Sequence, residues 1–308
     1  MLKKRSQFFK KVFVFCLVLA GAFCFVKEFY WDDFSSVAKV DLENPKIKAK
    51  QILATASPRS VSAEIASISA KQKLGVKSSD DYVVKIPVLI YHHIRDSVPP
   101  SEELSYHLSV KVADLESQFN YLWENRYQSI SLNDLYDSLI NKTPLPPKSV
   151  IITFDDGYRD FYYNAFPLIK KYNLRVVSFY IAGYTTYPNY MDWGMLKEIH
   201  HSGLVDVESH TLSHFLLSFL TQEEAEKEIF ESKKILEEGL GKKVNYLAYP
   251  YGDYNESVVN LVREAGYKLA FSTNPGVDLH SSEQFFLKRV TVSGFDTLET
   301  FKAKLTIN

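Results

Sequence analysis

Cysteine is nearly absent from this chain: its 308 residues hold two, Cys16 and Cys24. Downstream of them no disulfide can form and no thiolate can hold a metal, so any metal site must be built from histidine and carboxylate. Net charge is equally scarce. Lys and Arg number 36 against 37 Asp and Glu, a formal balance of -1. With no bulk charge and no basic stripe, a nucleic-acid partner is not expected. No internal repeat is visible. Aromatics, by contrast, are plentiful, with 20 Tyr and 21 Phe. An aromatic-rich core is the economical explanation, and a sugar-stacking surface is compatible with the same count.

The N-terminus reads as an address. Lys3, Lys4, Arg5, Lys10 and Lys11 precede an uncharged run from Val12 to Val26, closed by Lys27. A basic flank before an apolar run is an export signal whose flank stays cytoplasmic. The run is short against the ~20 residues a spanning helix needs, although Phe8, Phe9 and snorkelling lysines lengthen it. Ala20 and Ala22 offer a small-residue cleavage site, but Phe23 to Val26 carry the apolar run past it, which favours an uncleaved anchor. The expected organisation is a basic tail at 1–11, a transmembrane signal anchor at 12–26, a Ser-, Ala- and Lys-rich stalk at 27–82 and a globular domain at 83–308. That domain would lie outside the cell on a single-pass membrane protein, or be secreted if the signal is cleaved.

From Tyr82 onward, short apolar runs alternate with amphipathic segments. Strands are expected at Val88 to Tyr91, Val150 to Phe154, Val176 to Ile181, Leu204 to Val207, Tyr246 to Tyr249, Lys268 to Ser272 and Leu287 to Val292. Helices are expected between them, the longest from Thr221 to Leu240 and ended by Gly241. Strands apolar throughout and separated by helices imply a parallel sheet covered on both faces. Their number favours an α/β fold of the closed or nearly closed (β/α) barrel type, with a doubly wound open sheet as the alternative. In either, chemistry gathers at the C-terminal ends of the strands.

Three strand ends carry candidate chemistry. Thr153-Phe154-Asp155-Asp156-Gly157 runs a buried strand into a glycine turn bearing two carboxylates; alone, this is most often turn chemistry. His210-Thr211-Leu212-Ser213-His214 spaces two imidazoles four residues apart, and a helical turn there would project both from one face. Together with an Asp from another strand end, they make a two-His, one-carboxylate set with open positions, the pattern of a catalytic metal. Ala248-Tyr249-Pro250-Tyr251-Gly252 is the third end, informative only beside the other two.

These segments, in this order, resemble the NodB-type polysaccharide deacetylases, metal-dependent carbohydrate esterases of a distorted barrel fold. The resemblance runs from about Val83 to the C-terminus. It includes Leu115 to Leu135, the Thr-Phe-Asp-Asp-Gly motif, His-Thr-x-x-x-His, the Tyr-Pro-Tyr-Gly loop and Ala265-Gly266-Tyr267. It implies that Asp156, His210 and His214 hold a divalent metal, foremost Zn²⁺, with Co²⁺, Ni²⁺ or Fe²⁺ open to the same ligands. It further implies Asp155 as general base, Tyr251 as a substrate contact giving its N–H to the oxyanion, and Thr211 beside the ligands. Trp193 resembles the aromatic lining the sugar groove, and a buried core tryptophan reads equally well.

Two departures from the family pattern stand out. Ala248 occupies the place of an Arg that usually orients the base; Arg289 is the first candidate to replace it and Arg159 the second. The usual C-terminal Leu-x-His bearing the general acid is missing after Leu287, while Leu89-Ile90-Tyr91-His92 closes the first strand. This resembles the circularly permuted subgroup acting on poly-N-acetylglucosamine, and it implies His92 as the acid. Neighbours on a strand face opposite sides, so only one of His92 and His93 can face the site. The activity implied is N-deacetylation of N-acetylglucosamine in poly-N-acetylglucosamine, peptidoglycan or another wall polysaccharide. An O-acetyl esterase on the same site and a catalytically silent glycan-binding module are the alternatives.

Overall fold

The computed structural model describes residues 81–98 and 101–306. The expected anchor at 12–26 and almost all of the expected stalk at 27–82 lie outside them. Among the described residues, no helix is long and apolar enough to cross a membrane.

Seven parallel strands close a ring in chain order: β1 (Val88–Tyr91), β2 (Ser149–Phe154), β3 (Val176–Tyr180), β4 (Val205–Ser209), β5 (Tyr246–Ala248), β6 (Leu269–Pro275) and β7 (Leu287–Thr291). Each pairs with the next, and β7 returns to β1 through Val290 opposite Leu89 and Thr291 opposite Ile90. The closed barrel therefore holds and the open-sheet alternative falls. A short strand, Gln128–Ser129, extends the sheet beside the start of β2. Val83–Lys85 pairs antiparallel with Asp278–His280.

Side chains alternate across a strand, so a ring covered by helices needs apolar residues on both faces. The core divides accordingly. Val88, Ile151, Val177, Phe179, Leu269, Phe271 and Leu287 pack in one cluster, inside the ring. Their immediate neighbours Leu89, Ile152, Leu247 and Ala270 belong to the other, against the helices. Counting in twos places Ile90 and His92, Thr153 and Asp155, and Arg289 in the inward register at the C-terminal end.

The helices are set by ordinary signals. Thr221 and Glu224 form a reciprocal capping box at the start of Gln222–Leu240, and Gly241, at φ 68°, ends it. The buried stripe of this helix is Ala225, Glu228, Ile229, Ser232, Leu236 and Leu240. Two polar residues in an otherwise apolar stripe need partners, and both find them at the C-terminal end of β4.

Candidate active site

Where β2 ends, the backbone is pinned before it turns. Asp155 N–H donates to the Tyr91 carbonyl at 2.9 Å, and the Thr153 hydroxyl donates to the Leu89 carbonyl at 2.7 Å. Asp156 and Gly157 then both take left-handed backbone, φ 70° and 80°. Asp tolerates that region better than most residues. Gly157 is required twice over, because a Cβ there would lie 2.0 Å from the Tyr180 ring. This turn lets two adjacent carboxylates, both nearly solvent-free, serve different partners.

Asp156 meets the imidazoles. Its Oδ1 lies 3.2 Å from Nε2 of His210 and 3.2 Å from Nε2 of His214. One ligand atom from each of the three residues falls within 4.8 Å of the other two. The Asp156 Oδ1 is buried and makes no hydrogen bond. The His210 Nδ1 sits 2.7 Å from the Ala248 carbonyl. A carbonyl only accepts, so Nδ1 carries the proton and Nε2 keeps its lone pair for the cluster. An orphaned carboxylate oxygen facing two imidazole nitrogens fits a divalent cation.

The segment from His210 to His214 is not the helical turn its spacing suggests. It is a loop in which Thr211 and His214 adopt left-handed backbone, φ 65° and 58°. The rings converge because the loop is held from the helix layer. Glu228 accepts the N–H groups of Leu212 at 3.1 Å and Ser213 at 2.7 Å. Ser232 bonds Ser209 at 2.9 Å, and the Ser209 hydroxyl accepts the N–H of Thr211 at 3.2 Å. The Thr211 hydroxyl in turn accepts the His214 N–H at 3.2 Å. Sequence reasoning missed Glu228 and Ser232, and their signal was their place in an apolar stripe.

Asp155 meets Arg289. The guanidinium donates to Asp155 Oδ1 at 2.8 Å and Oδ2 at 2.7 Å, to the Thr153 hydroxyl at 3.1 Å and, through Nε, to the Ser272 carbonyl at 3.0 Å. Arg289 is fully buried inside the ring. It approaches from β7, while Ala248, at the family's arginine position, contributes its carbonyl to His210. Burial works to raise the Asp155 pKa, but the Arg289 guanidinium, with His210 and His92, outweighs it and holds the carboxyl below its ordinary range. Arg159 instead donates to the Tyr190 carbonyl at 3.1 Å.

The two strand-end histidines separate as alternation requires. His92 turns inward, where the charges of Asp156, Asp155, Arg289 and His210 all bear on it, and its Nδ1 is buried without a partner. Burial is the dominant influence and lowers its pKa. His93 turns outward, with Nδ1 2.5 Å from Asp160 and its ring stacked on Tyr158. Tyr251, at φ 59°, is 42% exposed and its ring centroid lies 4.7 Å from that of His214. Trp193 is half-buried, and a Cβ on Gly239 would meet its ring at 2.1 Å, so the ring packs against the helix Gln222–Leu240.

Comparison with known proteins agrees with this geometry. Residues 142–270 match the family model for polysaccharide deacetylase. The chain is 30% identical over 209 residues to YxkH of Bacillus subtilis, assigned to the polysaccharide deacetylases, covering 68% of this chain and 72% of that protein. It is 30% identical over 199 residues to a poly-beta-1,6-N-acetyl-D-glucosamine N-deacetylase of Staphylococcus aureus, covering 60% of this chain and 68% of that one. Among solved structures, the Streptococcus pyogenes deacetylase PplD in complex with acetate aligns with a TM-score of 0.68 at 27% identity. That alignment covers 73% of this chain and all of PplD.

Proposed function

Because this chain belongs to the polysaccharide deacetylase family, hydrolases of N-acetyl groups on polysaccharides, we propose that it deacetylates N-acetylglucosamine units of an exported or wall glycan with a divalent cation at Asp156, His210 and His214. The observation that carries this reading is the division of labour between neighbours. Asp156 faces two imidazole nitrogens, while Asp155 is held apart from them by a two-point bond to Arg289.

A divalent cation, Zn²⁺ foremost, supplies electrophilic assistance there by polarising the amide carbonyl and acidifying water. The rest falls to the chain. Asp155, ionised at neutral pH and fixed by Arg289, takes the proton of the attacking water. Tyr251 offers its N–H to the oxyanion that forms on the carbonyl. His92 gives a proton to the departing amine; a pKa lowered by burial makes its imidazolium the stronger donor. Acetate leaves, and the new amine on the sugar takes up a proton. A first strand ending in the acid and a last strand bearing the arginine also support the permuted arrangement within the family. The basic flank and apolar run at 12–26 support work outside the cytoplasm, on the membrane that holds the anchor.

The test uses the full-length protein, stripped and reloaded with Zn²⁺. Acetate release is measured from β-1,6- and β-1,4-linked N-acetylglucosamine oligomers and from acetylated xylan. Release from an oligomer, abolished by chelation and restored by Zn²⁺, is the expected result. Release from the xylan alone would assign the site to O-esters, and no release with Zn²⁺ bound would end the proposal.

Cation affinity should also depend on pH in a defined sense. Burial acts to lower the His210 pKa, but the adjacent carboxylates of Asp156 and Asp155 prevail and raise it. A proton on His210 competes with the cation, so affinity is full above that raised pKa and falls as pH drops through it. Zn²⁺ titrations at about pH 8 and about pH 5.5 should show weaker binding at the lower value. Equal affinities would remove His210 from the ligand set.

A further inference from the structure

Beside Asp156 stands a wall of tyrosines that the chemistry above does not use. The loop after β3 folds back so that Tyr190 pairs with Tyr158 across an isolated antiparallel bridge. Arg159 N–H donates to the Asn189 carbonyl at 2.8 Å, and Met191 N–H to the Gly157 carbonyl at 3.0 Å. Within the loop, Tyr187 N–H donates to the Tyr184 carbonyl and Tyr190 N–H to the Tyr187 carbonyl, at 3.0 and 3.1 Å. Successive four-residue turns thus bring Tyr184, Tyr187 and Tyr190 together. Tyr184 lies 4.8 Å from each of the other two rings, and Tyr190 lies 5.1 Å from Tyr158. At the inner end, His93 stacks on Tyr158 at 3.6 Å and is itself held by Asp160.

The wall is joined to the cation site. Ala182 and Gly183 donate their N–H groups to the carbonyls of Thr211 and Leu212, both at 2.9 Å, and the Tyr184 hydroxyl reaches the Ser213 carbonyl at 3.3 Å. Asp156 is close enough for its charge to bear on the hydroxyls of Tyr158, Tyr184 and Tyr190. The outer end is open: Tyr187 is 54% exposed, while Tyr158, Tyr184 and Tyr190 are half-buried.

A ring held rigid by its neighbours but left facing water is a surface prepared for a partner. The partner's chemistry follows from the ring type. Tyrosine presents an apolar face and a polar edge together, matching a pyranose, which has a C–H face and a hydroxyl rim. We propose that Tyr158, Tyr190, Tyr184 and Tyr187 form a glycan subsite that binds a neighbouring sugar ring of the chain being deacetylated, with Tyr187 as its outer platform. This rests on the N-deacetylase reading for its link to turnover. The binding half of it stands on the wall alone.

The experiment compares the full-length wild type with Tyr187→Ala and Tyr187→Phe in two measurements. In the first, acetate release from a β-1,6-linked N-acetylglucosamine pentamer is set beside hydrolysis of a small chromogenic acetate ester. Tyr187→Ala should raise KM for the pentamer about fivefold, the scale of one lost ring contact, with kcat and ester hydrolysis unchanged. Tyr187→Phe, which keeps the ring, should restore most of the loss. In the second, pentamer binding is measured by calorimetry without turnover. Should the wild type release no acetate yet bind the pentamer, and Tyr187→Ala weaken that binding, the subsite holds and the reaction assignment fails. A pentamer KM or Kd within roughly twofold of wild type in Tyr187→Ala, or a wild type that binds no pentamer, overturns the subsite.

Discussion

Asp155→Asn should yield a folded protein that retains Zn²⁺ and releases acetate about 10²–10⁴-fold more slowly than wild type, the range a positioned general base contributes. The substitution is nearly isosteric, and its oxygen can still accept from Arg289. What it removes is the ability to take a proton. Asp155 is also outside the group proposed to hold the cation, Asp156, His210 and His214, so metal content should stay stoichiometric while turnover collapses. Atomic absorption on the purified variant, beside acetate release from an N-acetylglucosamine oligomer, separates the two. A variant with near-normal turnover would hand the base role to another group. One that loses its metal would mean that Asp155 belongs with the ligands.

Arg289→Met should have the largest effect on stability, about 3–5 kcal/mol, because it strands a buried carboxylate without its partner. Arg289 is fully buried, Asp155 is 2% exposed, and the guanidinium grips both carboxylate oxygens while also bonding Thr153 and Ser272. The pair's contribution has a direction in pH. The Asp155 pKa is depressed in the folded protein, so this stabilisation is complete above the ordinary Asp value of about 4 and is lost as pH falls through the depressed one. Without Arg289, burial would push the Asp155 pKa upward, and the acidic limb of the activity profile should move to higher pH. The double variant Arg289→Met/Asp155→Asn should recover much of the lost stability, since it no longer buries a lone charge. Arg289→Lys should restore little, because an ammonium cannot reproduce the fork. Urea unfolding of the four proteins tests this. If the double variant proves no more stable than Arg289→Met, the damage lies in packing and not in the charge.

Much of the fold was readable because it rests on local signals. Most barrel strands are short, largely apolar runs, and helix ends carry local signals such as the Thr221 cap and Gly241. The observed strands begin and end within two residues of the expected ones, except where β6 continues to Pro275. The candidate residues at the strand ends also meet in space, since a parallel ring sends all its C-terminal ends to one side. What could not be read depends on contacts between distant segments. The four-residue spacing of His210 and His214 suggests a helix, yet a loop tied to Glu228 brings their rings together, and no local pattern announces left-handed backbone at Thr211. Lys288 and Arg289 are adjacent cations in one strand. Only the ring's register shows that Arg289 points inward. That the Trp193 ring packs against Gly239 is likewise a contact between distant segments. The tyrosine wall needs both the bridge from Tyr158 to Tyr190 and the stacking of His93, and neither is encoded by spacing along the chain.

The closure of β7 on β1 has a consequence for when this protein becomes competent. The inward histidine sits just past the first barrel strand, and the arginine that holds Asp155 lies in the last, about 200 residues later. Contacts that distant in sequence carry the largest loop-closure cost and are expected among the last to form. A chain emerging in order can build β2 to β5, with both carboxylates and both imidazoles present, before the strand bearing Arg289 exists. Until then Asp155 has no counter-charge and His92 has no finished wall behind it. Catalytic competence is therefore timed to the last stage of folding, and a partly folded chain would stay inert toward the sugars around it.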